Sequence, residues 1–192
     1  MKLKSLVLTA LFASVAFVGQ SVSAQTIART SGLVTQDDGV GGFNAHFGDT
    51  FAASTVGSTF SDLFTFNVGS SFDSAASLTS SYLNTALTKD LLITGFSLYK
   101  YDPVSMNILG TAIAGINNTG TGAHPTDAWS LSAYGLGSGA YAIRIDGQVV
   151  GNGGGAFGGD LAIAAVPEPE TYGMLLAGLG VMGLLARRRK AA

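Results

Sequence analysis

The sequence predicts an all-β outer domain, an antiparallel β-sandwich of Greek-key or jelly-roll type, set between two terminal segments of different character. Three observations lead there. Short stretches of alternating apolar and polar residues recur from Phe60 onward, 27 glycines among 192 residues punctuate them, and hardly any stretch of the outer domain shows a helical period. Many short half-buried strands joined by glycine turns need a second sheet to cover their apolar faces.

The chain opens with Lys2 and Lys4, continues through the apolar run Leu6 to Val18, and closes a polar region on Val22-Ser23-Ala24. That is the layout of a secretory signal peptide, and the small residues place cleavage by signal peptidase between Ala24 and Gln25, after passage through the general secretion machinery. The apolar run is too short for a comfortable membrane span.

Residues 25–166 then form the mature outer region. Arg29, Lys89, Lys100 and Arg144 are its only cations, set against ten aspartates and no glutamate, a net charge of −6. An acidic domain without a basic stripe repels phosphate backbones, which excludes nucleic acid as a partner. The chain has no cysteine, so an exported domain of this length rests on its core rather than on disulfides.

Residues 25–59 are rich in Gly, Thr, Asp and Ala, with Asp38-Gly39 and Gly41-Gly42 as turn signals, and the expectation is one or two short strands among loops. From Phe60 the pattern sharpens. In Phe60-Ser61-Asp62-Leu63-Phe64-Thr65-Phe66-Asn67-Val68 the even positions carry Phe60, Phe64, Phe66 and Val68, a half-buried strand. Strict alternation puts the Asp62 carboxylate on the phenylalanine face. A buried carboxylate needs donors or a cation. Either the strand enters the core only after Asp62, or Asp62 accepts from backbone N–H groups of a neighbouring loop; the second is favoured, with a metal site as the weaker reading.

Residues 75–87 leave a helix open against a strand or loop, because Leu78 and Tyr82 space helically while serines and threonines surround them. Strands are expected over 91–101, with Phe96 and Leu98 opposite Ser97, Tyr99 and Tyr101, over 107–116, over 127–134 and over 140–146. A last strand, 160–166, follows a loop over 151–159. Tyr141, arriving just after the turn of residues 135–139, is placed to bond back to that turn as in the tyrosine corner of Greek-key sandwiches.

Motifs for chemistry are sparse. Residues 135–140 and 151–156 match the loose GxGxxG/A string, but neither lies between a strand and a helix, so both read as turns. His46 and His124 have no partner histidine at ligand spacing, and no G-x-S-x-G elbow occurs. No catalytic residue, metal ligand set or cofactor site is therefore assigned. Calcium on Asp37, Asp38 or Asp160 competes with the reading of solvated loop aspartates. Tyr99, Tyr101 and Trp129 make a candidate aromatic platform for sugar rings, weighed against ordinary core packing.

The end of the chain has three parts in fixed order. Pro167, Glu168 and Pro169 form a stiff tripeptide, residues 171–186 are uncharged, and Arg187, Arg188, Arg189 and Lys190 follow. The uncharged run predicts a single transmembrane helix, short at 16 residues or about 24 Å against a hydrocarbon core of roughly 30 Å. The basic cluster orients it with the outer domain on the far side of the inner membrane.

This order resembles the PEP-CTERM sorting signal of Gram-negative bacteria, and the phrase Phe60-Ser61-Asp62-Leu63-Phe64 is similar to the FxDxF family of such proteins at Phe60, Asp62 and Phe64. The chain then divides into a signal peptide (1–24), an N-terminal part of the outer domain (25–59), a sandwich (60–166) and a sorting signal (167–192). The resemblance implies a precursor held transiently in the inner membrane with its domain in the periplasm, and recognition by the membrane protease-transpeptidase exosortase. It also implies a noncatalytic product at the cell surface or in the extracellular matrix, associated with exopolysaccharide, biofilm or floc. The competing expectation is a carbohydrate- or calcium-dependent adhesin held by a permanent anchor.

Overall fold

The computed structural model describes residues 25–81, 90–120, 126–166 and 169–190. The expected signal peptide and Ala24, together with His124, Pro167 and Glu168, lie outside the described residues, whereas Gln25 lies within them.

Among the described residues the strands are β1 (Thr26–Gly32), β2 (Thr35–Asp37), β3 (Phe43–Ala52), β4 (Thr59–Val68), β5 (Phe72–Ser80) and β6 (Leu91–Asp102). They continue with β7 (Asn107–Ala114), β8 (Ile116–Asn117), β9 (Ala128–Leu136), β10 (Gly139–Val149) and β11 (Gly154–Ala165), and helix α1 (Pro169–Lys190) ends the chain. One sheet has the order β1-β4-β10-β6-β7 and the other β2-β3-β11-β5-β9-β8. Every pairing is antiparallel except β1 on β4. The chain crosses between sheets at most turns, which gives the expected all-β sandwich.

The core between the sheets is built on phenylalanine. Phe43 meets Phe66 at 5.9 Å between ring centroids, Phe47 meets Phe64 at 5.4 Å and Phe51 stacks on Phe60 at 4.4 Å. These are rungs of one ladder, with β3 supplying one side and β4 the other. Phe157 of β11 closes on Phe60 and Phe64. Alternation explains the faces: Phe60, Phe64, Phe66 and Val68 are buried as the sequence indicates, as are Leu131, Ala133, Tyr141, Ile143 and Ile145. Rings of this size, packed edge-on or offset, dominate the burial of a cysteine-free sandwich.

Residues 25–59 carry more structure than expected. Three strands form there, and β3 runs for ten residues with Phe43, Ala45, Phe47 and Phe51 all inward. Its interspersed Gly48, His46 and Asp49 mask the alternation in the sequence. The predicted loop over 151–159 is also corrected, since β11 begins at Gly154. At Gly159 close approach requires glycine, since a Cβ there would run into the Phe47 ring and the Ser77 carbonyl. Residues 75–80 belong to β5, which settles that part of the ambiguous stretch as strand; residues 82–87 are not described.

The tail forms a helix, but the expected transmembrane span is corrected. Among the described residues no helix is long and apolar enough to cross a membrane. Pro169 fits the first turn, where a missing N–H costs nothing, and Leu, Met and Ala favour helix beyond it. Its uncharged stretch is nevertheless bounded by Glu170 and Arg187, and that length falls short of a bilayer core. Tyr172, Met174, Leu175, Leu176, Leu179, Val181 and Met182 are all exposed along it.

Candidate functional site

Asp62 is the most unusual side chain of the domain. It lies on the phenylalanine face of β4, 1 % exposed, and among the described residues neither carboxylate oxygen makes a hydrogen bond of normal geometry, the approaching backbone N–H being that of Arg29 in β1 rather than of a loop. The expectation that a loop's backbone N–H groups satisfy it is therefore corrected. The ladder between the sheets explains its surroundings. Between the rungs Phe47 with Phe64 and Phe51 with Phe60, the facing positions are Asp49 and Asp62, an acidic rung in an aromatic stack.

Arg29 caps this rung. It is the register partner of Asp62 on the parallel strand β1, it pairs through Nη1 with Asp49 Oδ2, and its guanidinium lies 5.5 Å from the centre of the Phe51 ring, within cation–π range. Asp49 also accepts from the Thr50 N–H at 2.6 Å. Two carboxylates and one guanidinium leave one negative charge in excess, which favours the protonated form of Asp62. Burial pushes its pKa up to about 7, the Asp49 carboxylate adds to the rise, and Arg29 pulls against it.

The rung opens on a cleft of about 460 Å³ between β1 and β3, lined by Arg29, Thr30, Ser31, Gly48, Asp49 and Asp62. It exists because β2 pairs only with residues 43–45 of β3, so the edge of β3 beyond them is uncovered. Chemically the site is an acid poised near neutrality beside an ion pair. Arg29 and Asp49 escaped the reading of the sequence, although Asp49-Thr50-Phe51 mirrors Phe60-Ser61-Asp62 and signals an acid in phenylalanine register.

The FxDxF positions Phe60, Asp62 and Phe64 all face the core. The aromatic trio is not one platform. Tyr99 and Tyr101 lie half-buried on the outer side of β6, while Trp129 sits in the other sheet, turned to the core, with its indole N–H buried and unpartnered. Asp37 accepts from the Gly39 N–H, and Asp38 from those of Val40 and Gly42, so both cap their own turn. Asp160 pairs with His46 on an exposed sheet face. Among the described residues no three His, Asp or Glu side chains gather as a metal-holding group. Both glycine strings lie at turns between strands: residues 137–138 join β9 to β10, and Gly154 donates to the Gly151 carbonyl at 3.0 Å as β11 begins. The tyrosine corner forms as expected, Tyr141 OH donating to the Gly137 carbonyl at 2.8 Å.

At the other end of the molecule, α1 follows the last strand after three intervening residues. Arg187 is exposed, and Arg188, Arg189 and Lys190 continue the helical backbone. A family model described as the PEP-CTERM protein-sorting motif matches residues 165–190. The chain carries a PEP-CTERM sorting motif. Such a motif marks an exported protein processed at a membrane, and the match takes in Pro167, Glu168, Pro169 and the cationic cluster while leaving the sandwich outside it. No curated protein matches the chain.

Among solved structures the chain is similar to the Aeromonas hydrophila periplasmic inhibitor of g-type lysozyme, at 12 % identity and a TM-score of 0.35 over 72 % of this chain and 99 % of that one. It is also similar to the pre-peptidase C-terminal domain of a Bacillus anthracis collagenase, at 16 % identity and a TM-score of 0.33 over 72 % and 98 % of the two chains. At those scores neither likeness bears on function.

Proposed function

We propose that this PEP-CTERM protein is an exported, noncatalytic component of the cell surface or extracellular matrix, delivered through its tail by exosortase and associated there with exopolysaccharide, biofilm or floc. The observation that carries this reading is the motif over residues 165–190, with its tripeptide, short apolar helix and cationic end in the required order. Pro169 opens α1 at its first turn, and a proline at 169 biases the residue before it towards extended backbone, so the sequence favours an extended approach to the helix. An extended segment is what a protease active site threads. Glu168 offers that site a single charge, and the cations of 187–190 fix the depth at which it is presented at the inner membrane.

The noncatalytic reading is supported by the way the titratable groups are spent. Asp49 is held by Arg29, His46 by Asp160, and Asp62 faces Asp49 within the rung. The rung serves as a clasp that fastens the N-terminal edge strand across the open side of the sandwich.

Mass spectrometry of the surface protein tests the sorting reading. The expected C-terminus lies near the tripeptide, without residues 172–192, and Glu168→Gln makes the unprocessed precursor accumulate in the inner membrane. Surface protein that retains residues 172–192 overturns it.

A further inference from the structure

We propose that the outer face of the first sheet carries a binding groove for a neutral glycan, formed by Tyr101, Ala140 and Asn67 on three adjacent strands. The proposal rests on the reading of the protein as a polysaccharide-associated matrix component and names the surface that would make the association.

Register places the parts. Ala142 of β10 lies between Thr65 of β4 and Tyr99 of β6, and one step along the strands Ala140 lies beside Asn67. Tyr101 stands two residues beyond Tyr99, on the same face of β6. Ala142 is itself fully buried, so the central strand offers the half-buried methyl of Ala140, while its neighbours raise the Tyr101 phenol on one side and the Thr65 hydroxyl and Asn67 amide on the other. Neighbouring strands lie about 4.8 Å apart, so the two walls stand roughly 10 Å apart. The resulting cleft of about 400 Å³ is lined by Thr65, Phe66, Asn67, Tyr101, Pro103 and Ala140, a volume in the range of small-ligand sites.

The lining selects the ligand. No charged side chain contributes to it, and the nearest charges outward on β10, Arg144 and Asp146, neutralise each other through bonds of 2.9 Å from both Nε and Nη2 to Asp146 Oδ1. A polyanion gains nothing there and meets a domain of net negative charge. A flat ring with a C–H face and a hydroxylated rim suits an aromatic wall and a methyl floor on one side and an amide on the other. Asn67 is exposed and can both donate and accept. The Thr65 hydroxyl leans towards the Ser31 carbonyl at 3.4 Å, which leaves its oxygen free to accept. Neutral pyranose chains have that shape and polarity.

The test is affinity electrophoresis of the exported protein through gels containing laminarin, dextran or hydroxyethylcellulose, with alginate as the anionic control. At least one neutral gel should retard the wild type and alginate should not. Tyr101→Ala and Asn67→Ala should each weaken retardation about tenfold in apparent Kd, with melting temperature and near-UV circular dichroism showing an intact fold, and Tyr134→Ala, on the other sheet, should leave it unchanged. No retardation in any neutral gel, or equal retardation of wild type and Tyr101→Ala, overturns the groove. Co-fractionation with the producing cells' own matrix separates the two readings. If wild type and Tyr101→Ala both stay with the matrix, the groove is wrong and the matrix role stands; if the wild type does not, the matrix role itself fails.

Discussion

Replacing Asp62 by asparagine keeps the shape of the acidic rung and removes its titration. In the folded protein the Asp62 carboxyl is raised from the usual 3.8 to about 7, burial being the main cause and Asp49 the second. Between those values the folded state keeps a proton that the unfolded state has lost. Stability therefore falls as pH rises: the contribution is fully present below about pH 4, is lost progressively through pH 7 and does not change further above it. A shift of that size corresponds to about 4 kcal/mol at most, and less in practice because the cleft between β1 and β3 brings water close to the rung. Urea denaturation of wild type and Asp62→Asn at pH 4.5, 5.5, 6.5 and 8 measures it. The wild type should lose roughly 2–4 kcal/mol relative to the variant across this range. Charges remote from the rung are common to both proteins, and the unpaired amide costs the same at every pH, so the difference in slope isolates the Asp49–Asp62 rung. Parallel stability curves would show that Asp62 is ionised in the folded state and that the account of the rung is wrong.

Phe64→Ala removes a ring that meets both Phe47 and Phe157, and should cost about 3–5 kcal/mol, whereas Thr65→Ala on the outer face should cost far less; equal shifts in melting temperature would reverse the face assignment of β4. Tyr141→Phe deletes the bond to Gly137 while keeping the ring, and a loss of about 1 kcal/mol in urea denaturation is expected. Gly159→Ala drives a methyl into Phe47 and the Ser77 carbonyl, so a loss of roughly 1–3 kcal/mol should appear as a lowered melting temperature, and a neutral result would show that β11 can shift. N-terminal sequencing of the exported protein should begin at Gln25, and retention of Met1 would rule out the signal peptide.

Local pattern carried much of this structure. In β4, the second half of β6, β9 and β10 a period of two places the large apolar side chains inward from the sequence alone, because successive side chains of a strand point to opposite faces. The tail is legible for a similar reason: its order of stiff tripeptide, apolar run and cations is contiguous, and contiguous features need no folding to be recognised. The Tyr141 corner is local as well, its partner lying four residues away.

What depended on tertiary structure is what involves residues distant along the chain. β3 did not stand out among the one or two short strands expected over 25–59 because Gly48, His46 and Asp49 interrupt its phenylalanines, and only the opposing face of β4 shows that Phe47, Asp49 and Phe51 are rungs. The glycines of β11 read as a flexible loop in sequence, yet they are strand, and at Gly159 Phe47 and Ser77 occupy the space a side chain would need. Tyr99 and Tyr101 could not be separated from Trp129 until the strands had been assigned to different sheets. Asp62 could be seen to face the core from its parity alone, but not what it faces. Arg29 reaches it through a parallel pairing and Asp49 across the sandwich, 33 and 13 residues away in sequence, and it is burial together with the facing Asp49 carboxylate, opposed by Arg29, that raises the Asp62 carboxyl.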